Sequence, residues 1–266
     1  MKKYILVFAA CSMLLCCKQG GSKPEEDPLR MPCSCADEWT FQKPTSLGDL
    51  AWDYPLKPGT VEWEQYKFKD QQEMYDVCQI PDVVLSSLLT EDLVEICMQF
   101  PMLINFTSSV PLDKGIDLLF EKFNGVREIF QRKDASEGLL KWYRHAIQNL
   151  SFLNSDASSD EKGTFSLRIA AAELILSRYQ SSEDAENLEI IQHLICGYEK
   201  KFAYPESFTF FSQIVNCFAR AKVMFQLNVH IIEEVPQGFD NPAPYDYEQA
   251  YQTCSIINKL SCQFIK

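Results

Sequence analysis

A helical spacing of apolar residues recurs over most of this 266-residue chain and constrains its fold more than any other feature. In one run, four apolar residues stand at positions i, i+3, i+4 and i+7: Leu93, Ile96, Cys97 and Phe100. This spacing places side chains on one face of an α-helix. Further apolar runs with helical spacing lie at 112–123, 139–150, 165–179, 186–202, 206–227 and 247–264. The pattern predicts an all-α protein.

Local signals predict where several of these helices begin and end. Thr90 precedes Glu91-Asp92, which indicates a side-chain cap followed by acidic residues in the first helical turn. Asn124-Gly125 is typical of a helix C-terminus. The polar stretch 154–163 is predicted to be a loop and is a candidate internal boundary.

The predicted helices follow one another closely enough to pair as hairpins, as in arrays where each pair stacks on the next. No fixed residue period identifies a named repeat family. We therefore expect an irregular array or bundle of helical hairpins over residues 61–266, preceded by an extended N-terminal segment. Prolines are frequent between residues 31 and 60, and residues 17–60 are expected to form a tether and an extended segment against the body.

Residues 1–16 have the pattern of a secretory signal peptide. Met1-Lys2-Lys3 is cationic, and a nearly unbroken apolar run follows from residue 4 to residue 15. The run is shorter than the roughly 20 apolar residues that a membrane-spanning helix needs. A buried N-terminal helix is the alternative, but such a helix carries polar residues on one face, and this run offers only Ser12.

The sequence Leu14-Leu15-Cys16-Cys17 resembles the cleavage region of a bacterial lipoprotein, where a peptidase cuts before a lipid-modified cysteine. The resemblance implies an acylated cysteine. We prefer Cys17, because the small Cys16 then precedes the cut; if Cys16 is modified instead, the bulky Leu15 departs from the small residue usual in this family. Two or more acyl chains, such as palmitate, anchor a protein stably to a membrane.

The residues after Cys17 are polar and acidic, since Gly20-Gly21 is followed by Glu25-Glu26-Asp27. They resemble lipoproteins of the Bacteroidetes, in which acidic residues near the anchor accompany export to the outer face of the outer membrane. The sequence Met74-Tyr75-Asp76-Val77-Cys78-Gln79-Ile80-Pro81, with its continuation to Gly125, is similar to a segment of secreted proteins of Bacteroidales. These resemblances imply a location at the outer membrane, with its periplasmic and surface faces both open.

Eight cysteines lie beyond the anchor region, an even number that permits disulfides in an exported protein. If the two helices on either side of residues 204–205 form a hairpin, Cys196 and Cys217 lie level across it. Cys78 and Cys97 are placed similarly around the turn near residue 88. We expect these two pairs as candidate disulfides. The alternative is that each of these cysteines is a small buried core residue with a free thiol.

The cluster Met31-Pro32-Cys33-Ser34-Cys35 offers soft ligands for a metal such as copper(I). It has no second cysteine pair at zinc-ligand spacing and no histidine nearby. We therefore expect a disulfide or free thiols there, and no metal site.

Composition and motifs exclude several function classes. Lys and Arg together number 25 against 37 for Asp and Glu, a net charge of −12, which argues against nucleic-acid binding. The chain has no Gly-x-Ser-x-Gly sequence, no phosphate-binding glycine loop and no His-Glu-x-x-His sequence. His145 and His193 are expected to lie on a helix surface or in a satisfied core position. No cofactor is expected.

These features predict a lipid-anchored envelope protein whose helical body binds another envelope protein, without catalysis. The alternative is a surface carbohydrate-binding accessory protein, because 12% of the residues are aromatic and Trp39, Trp52 and Trp63 lie in or beside the extended segment. A third hypothesis is a thiol-dependent enzyme, which predicts one solvent-exposed, rapidly alkylated cysteine.

Overall fold

A computed structural model describes Leu29, Cys33 and residues 52–107, 112–179, 184–227 and 247–265. All regular secondary structure in these segments is helical, which confirms the predicted all-α fold. The helices are α1 (Val61–Gln65), α2 (Gln71–Asp76), α3 (Asp82–Leu85), α4 (Thr90–Met98), α5 (Ile104–Thr107), α6 (Leu112–Lys122), α7 (Asn124–Ile129), α8 (Ala135–Gln148), a 3-10 helix (Leu150–Asn154), α9 (Ser159–Leu176), α10 (Asp184–Lys201), α11 (Phe210–Gln226) and α12 (Tyr247–Phe264). The signal peptide, Cys16, Cys17 and Trp39 lie outside the described residues.

The first helices are short, and polar side chains cap their starts. The Thr60 hydroxyl accepts a hydrogen bond from the Trp63 amide at the start of α1. The Asp70 carboxylate accepts one from the Glu73 amide, 2.9 Å away, at the start of α2. Both bonds satisfy backbone N–H groups that have no partner within the helix.

Aromatic contacts attach the segment before α1 to the body. Tyr54 is buried, and its hydroxyl donates a hydrogen bond to the Ile96 carbonyl in α4, 3.0 Å away. The Tyr54 ring lies 6.1 Å from that of Phe100, which in turn stacks on Phe123 with ring centroids 3.9 Å apart. The N-terminal segment therefore reaches the helical core.

The longer helices pack against sequence neighbours and also against helices further along the chain. α8 contacts α4, α9 and α10, while α11 contacts α9, α10 and α12. One continuous apolar core includes buried side chains on both sides of 154–163, among them Leu150 and Ile169. Burial of an aliphatic side chain of this size stabilises the fold by roughly 1.5–3 kcal/mol. The core thus lies between helices that are consecutive in the chain and helices that are not, in an irregular arrangement.

Of two predicted helix boundaries, the Thr90 cap is wrong and the end at Asn124-Gly125 is confirmed, and both polar residues bind distant groups. Thr90 is the first residue of α4, and its hydroxyl donates to Asp134 across a 2.7 Å contact, so no side chain caps this helix. α6 ends at Lys122, just before the predicted stop, and Asn124-Gly125 also forms the first turn of α7. The Asn124 side chain accepts from the Ile80 amide and donates to the Ile80 carbonyl.

The prediction of a loop over 154–163 is wrong for its second half. The Ser158 hydroxyl accepts from the Glu161 amide, and the Glu161 carboxylate accepts from the Ser158 amide. This reciprocal capping box starts α9 at Ser159. Of the residues assigned to the loop, five therefore belong to α9 and Asn154 belongs to the preceding 3-10 helix.

Candidate functional site

An ion pair lies in the interior between the long C-terminal helices. The Lys201 ammonium at the end of α10 contacts Glu173 Oε1 of α9 at 2.6 Å. Their side chains are 1% and 0% exposed. Charged groups are rarely buried to this degree unless they are paired, so this pair marks the most unusual environment among the described residues.

The Glu173 carboxylate connects three other helices. Its Oε1 accepts hydrogen bonds from the Tyr143 hydroxyl of α8 and the Asn216 amide of α11, each 2.7 Å away, besides the bond from Lys201. Its Oε2 is buried without a hydrogen-bond partner among the described residues. Burial, followed by the adjacent Glu173 charge, raises the pKa of Tyr143 well above its ordinary value, so the phenol remains protonated and donates.

Arg220 extends this cluster from α11 to α12. Its guanidinium is fully buried and donates to Asn216 Oδ1 at 2.9 Å, to Ser261 Oγ at 3.0 Å and to Asn258 Oδ1 at 2.7 Å. It also lies over the Tyr198 ring, 4.8 Å from the centroid. These contacts use the forked donors and the planar face that distinguish arginine from lysine.

Two free thiols complete the cluster. Cys217 of α11 and Cys254 of α12 are both 0% exposed. Arg220 Nη2 lies 3.2 Å from the Cys217 sulfur, and the Cys217 thiol donates to Asn258 Oδ1 of α12 across 3.9 Å. Burial raises the pKa of Cys217, but hydrogen bonding with Cys254 and the charges of Arg220 and Lys201 outweigh that effect and lower it.

The cluster joins five helices, α8 to α12, through polar contacts inside an apolar core. Burial lowers the pKa of Lys201, while Glu173 opposes this shift by favouring the ammonium form. With its charged side chains at or near zero exposure, the arrangement orders helices and does not meet solvent. It is therefore a structural hub.

Sequence reasoning missed Glu173, Lys201, Asn216 and Arg220. A signal for two of them exists in the sequence, because Glu173 stands alone within the apolar run 169–176 and Arg220 between Ala219 and Ala221. A charged residue at an otherwise apolar helical position predicts a buried partner. Nothing in the spacing identifies that partner.

The predicted disulfide pairs are wrong. Cys78, Cys97 and Cys217 are free buried thiols, and burial raises the pKa of Cys78 to about 11. Cys97 packs its sulfur toward Gly125 of α7, and Cys217 faces α12. Cys196 is disulfide-bonded, but its partner lies outside the described residues. Two cysteines can therefore lie at the same height on adjacent helices and still point in different directions.

The observed disulfide joins Cys33 to Cys262 in α12, with Cα atoms 5.6 Å apart and a sequence separation of 229. Asn258, one turn earlier on α12, donates to the Leu29 carbonyl at 2.8 Å. Of the two alternatives for the 31–35 cluster, a disulfide or free thiols, Cys33 therefore has the disulfide. Neither Cys33 nor Cys262 stands in one of the two pairs that the spacing favoured.

The tryptophans proposed for ligand stacking lie at separate places. Trp52 is half-buried with its ring edge-on to Tyr54, and Trp63 lies in α1 against Phe68, with centroids 4.8 Å apart. Tyr66 also contacts Phe68, at 4.5 Å, and is 39% exposed. Trp63, Tyr66 and Phe68 form what we call the α1 aromatic cluster.

A second surface feature lies at residues 83–89, the α3–α4 corner. Val83 and Leu89 are 76% and 73% exposed, although both are large aliphatic residues. Arg132 holds the backbone between them, because Nη2 donates to the Leu85 carbonyl and Nη1 to the Leu88 carbonyl, both at 2.7 Å. The corner thus presents two apolar side chains on a fixed backbone.

The histidines that the structure describes occupy structural positions. His193 is 6% exposed and is held between the Glu189 carbonyl, 2.6 Å away, and the Arg144 side chain. His145 is half-buried beside Asn149. Within the described segments no group of three or more His, Cys, Asp or Glu side chains is arranged to hold a metal ion.

No family model matches the chain, and no curated protein or solved structure is significantly similar to it. The resemblance to Bacteroidales lipoproteins therefore stays a prediction. None of the helices in the described ranges combines the length and the apolar content that crossing a bilayer requires.

Proposed function

We propose that this protein is a lipid-anchored protein of the cell envelope, at the outer membrane, whose helical body binds another envelope protein without catalysis. The Cys33–Cys262 disulfide is the observation that carries the proposal. Disulfides persist in exported proteins and are rare in the reducing cytosol. A disulfide between the N-terminal region and the last helix fits a chain that folds after export.

The same disulfide limits how far the body can stand from the membrane. Cys33 follows the proposed anchor Cys17 by 16 positions. A fully extended chain spans at most about 3.6 Å per residue, so the body is held within about 60 Å of the acyl chains. This range suits contact with a partner in or near the same membrane.

The α3–α4 corner is the surface that we propose for the partner. Isolated exposed aliphatic residues are common, but Val83 and Leu89 stand on a backbone that Arg132 immobilises. Asp82 and Asp92 lie beside them in the sequence of a chain with a net charge of −12. The complementary partner is a protein with an apolar depression bordered by basic side chains.

The anchor is tested by metabolic labelling with a palmitate analogue. We expect Cys17→Ala to lose the label and to leave the membrane fraction, while Cys16→Ala, the matched control, keeps both. Labelling that follows Cys16 instead moves the anchor by one residue. An unlabelled wild-type chain in the cytosol contradicts the envelope location.

The partner is tested by placing a photo-cross-linking amino acid at position 83 or 89 of the intact protein in its own membrane. Position 61, where Val61 is 62% exposed, is the control. We expect one protein to be cross-linked from 83 and 89 and not from 61. Leu89→Asp should abolish the cross-link from 83 without unfolding the chain, because Leu89 is the N-cap of α4 and Asp is favoured there. A cross-link that survives this change contradicts the proposed corner.

Carbohydrate binding is the second candidate, and the α1 aromatic cluster favours it. Trp63 is half-buried at the edge of the core, and Tyr66 is 39% exposed, so part of the cluster faces solvent. The Tyr66 hydroxyl points to the Glu73 carboxylate, 3.4 Å away. Aromatic rings beside polar groups form a surface on which a sugar ring can stack.

A glycan panel with tryptophan fluorescence tests this candidate. Binding that changes the fluorescence of the wild type and is lost in Trp63→Ala, but retained in Trp52→Ala, supports it. No binding on the panel together with unchanged fluorescence removes it and leaves the proposed protein partner unaffected.

A further inference from the structure

The disulfide of Cys196 has a partner that elimination reduces to four residues. Cys196 of α10 is disulfide-bonded and 4% exposed. Every other described cysteine is accounted for, because Cys33 is bonded to Cys262 and the rest are free thiols. The partner is therefore one of the four cysteines that lie outside the described residues: Cys11, Cys16, Cys17 and Cys35.

Contacts of α12 place the segment that ends at Cys33 beside α10. The Asn258 side-chain amide donates to the Leu29 carbonyl at 2.8 Å and to the hydroxyl of Tyr198, in α10, at 3.3 Å. The Cys33–Cys262 disulfide fixes the chain again, one turn further along α12. Residues 29 and 33 therefore lie next to the contact between α10 and α12.

Cys35 is the candidate that the chain holds closest to this contact. Two residues span at most about 7 Å, so the Cα atom of Cys35 lies within that distance of the Cys33 Cα atom. Disulfide-bonded Cα atoms are usually about 4.4–6.8 Å apart. Cys196 stands two positions before Tyr198, within the same turn of α10. The other three candidates precede Leu29 by 12 or more positions, so their reach selects no particular helix.

Lipoprotein processing removes those three candidates, and this step rests on the proposed function. Cleavage before Cys17 takes away Cys11 and Cys16 with the signal peptide. The lipid occupies the Cys17 sulfur, which then has no thiol to offer to a disulfide. In the mature chain, Cys35 is the candidate that remains.

We propose that Cys196 is bonded to Cys35, so that the N-terminal segment is fixed covalently to two helices. Cys33 is bonded to α12, and Cys35, two positions later, is bonded to α10. Loss of the Cys33–Cys262 disulfide alone then adds only two residues, about 7 Å, to the reach between Cys17 and the body. The two disulfides together keep the body near the membrane even when one of them is reduced.

The bond forms by exchange with an envelope protein that carries a reactive disulfide. One cysteine thiolate attacks that disulfide, which gives a mixed disulfide and releases one sulfur of the oxidant. The second cysteine thiolate attacks the bonded cysteine sulfur of the mixed disulfide, displaces the second oxidant sulfur and closes the Cys35–Cys196 bond. The oxidant gains two electrons and the two thiol protons, and leaves as a dithiol. Because Cys196 is 4% exposed in the folded chain, this exchange precedes the final packing of α10.

The experiment maps the disulfides of the full-length protein, extracted from membranes with detergent. Samples are denatured in N-ethylmaleimide, digested with trypsin without reduction and analysed by mass spectrometry. We expect one species that joins three tryptic peptides, 31–67, 179–200 and 260–266, which contain Cys33 with Cys35, Cys196 and Cys262. The free thiols Cys78, Cys97, Cys217 and Cys254 should be alkylated in every sample.

Two matched variants assign the pairing within that species. In Cys35→Ser, peptide 31–67 should stay joined to 260–266, and Cys196 should be alkylated. In Cys33→Ser, the same peptide should stay joined to 179–200, and Cys262 should be alkylated. The reverse pattern overturns the proposal. If a variant does not accumulate, fragmentation of the wild-type species between Cys33 and Cys35 gives the same assignment.

The outcomes also separate this pairing from the proposed function. Alkylation of both Cys196 and Cys35 in the wild type overturns the pairing alone, because palmitate labelling of Cys17 is measured independently. A disulfide between Cys196 and Cys17 overturns the pairing and the anchor at Cys17 together, since a disulfide-bonded sulfur carries no lipid.

Discussion

At the scale of single residues, the Glu173 carboxylate determines how the buried cluster contributes to stability. It accepts hydrogen bonds from α8, α10 and α11 through one oxygen. Removing two charges from water is costly, and their attraction offsets that cost only in good geometry. A buried ion pair therefore adds little net stability, but the loss of one partner leaves the other charge uncompensated.

We predict that Glu173→Gln lowers the free energy of unfolding by about 3–5 kcal/mol, because it leaves the Lys201 ammonium buried without its counter-charge. Urea unfolding at neutral pH measures this change. The control is Glu173→Leu combined with Lys201→Met, which removes both charges and should cost less than the single variant. A single-variant loss below about 1 kcal/mol contradicts a charged pair.

His193 predicts a pH dependence of stability. Burial, together with the charge of Arg144, lowers the pKa of His193 from 6.5 to about 4 in the folded state. Between these two values the unfolded state binds more protons, so stability rises with pH through that window and is lost as pH falls. The contribution at pH 4 is on the order of 3 kcal/mol relative to pH 7.

The variant His193→Gln should flatten this part of the stability profile. Denaturant unfolding between pH 4 and pH 7.5 checks it, with the comparison at pH 7.5 serving as the reference for the packing effect of the substitution. A wild-type profile that is as flat as that of the variant between pH 4 and 6.5 contradicts the lowered pKa.

Single residues are also where sequence reasoning failed most. A disulfide forms only if the two Cα–Cβ bonds point toward each other and the two cysteines lie at the same height on their helices. For Cys196 and Cys217 the sequence spacing predicts the heights but not the directions of these bonds. Glu173 and Arg220 are visible as charged residues in apolar runs, yet their partners come from other helices. The identity of a buried partner depends on packing that no local pattern contains.

At the scale of helices, the crossing of α8 and α10 depends on one close approach. A Cβ atom at Gly197 of α10 would lie 1.8 Å from the Tyr143 hydroxyl oxygen of α8. Tyr143 cannot easily move aside, because it is fully buried and its hydroxyl donates to Glu173. The helices approach this closely only because residue 197 has no side chain.

We predict that Gly197→Ala destabilises the protein by about 1–3 kcal/mol through overpacking. The matched control is Gly163→Ala in α9, where a Cβ atom meets no neighbour within 4 Å. There the higher helix propensity of alanine should stabilise by about 0.5–1 kcal/mol. Thermal unfolding of the two variants shows whether each substitution stabilises or destabilises the protein. A stabilising Gly197→Ala would show that the two helices do not cross here.

Helices themselves were largely predictable. The expected helix 247–264 coincides with α12, and the expected 186–202 differs from α10 by two residues at its start and one at its end. The prediction of a helix start was wrong where the expected capping side chain binds a distant residue instead. The Thr90 hydroxyl, for example, donates to Asp134 directly before α8. Periodicity is a property of one segment, whereas capping depends on which donors and acceptors the fold brings near.

At the scale of the whole molecule, the beginning and the end of the chain are joined. Cys33 is bonded to Cys262, and Leu29 accepts a hydrogen bond from Asn258. Eight cysteines permit 105 pairings, so this connection was not deducible from the sequence. The two cysteines are separated by 229 positions, and the loop between them contains nearly all of the helical body.

Breaking this disulfide should destabilise the protein by about 2–5 kcal/mol, because the closed loop lowers the entropy of the unfolded chain. Cys33→Ser and Cys262→Ser remove the same bond, so each single variant and the double variant should lose nearly the same free energy of unfolding in urea. Reduction of the wild type should cost at least as much, because it also breaks the disulfide of Cys196. Losses that add up in the double variant mean that the two cysteines act separately, and the N-terminal region is then not covalently joined to α12.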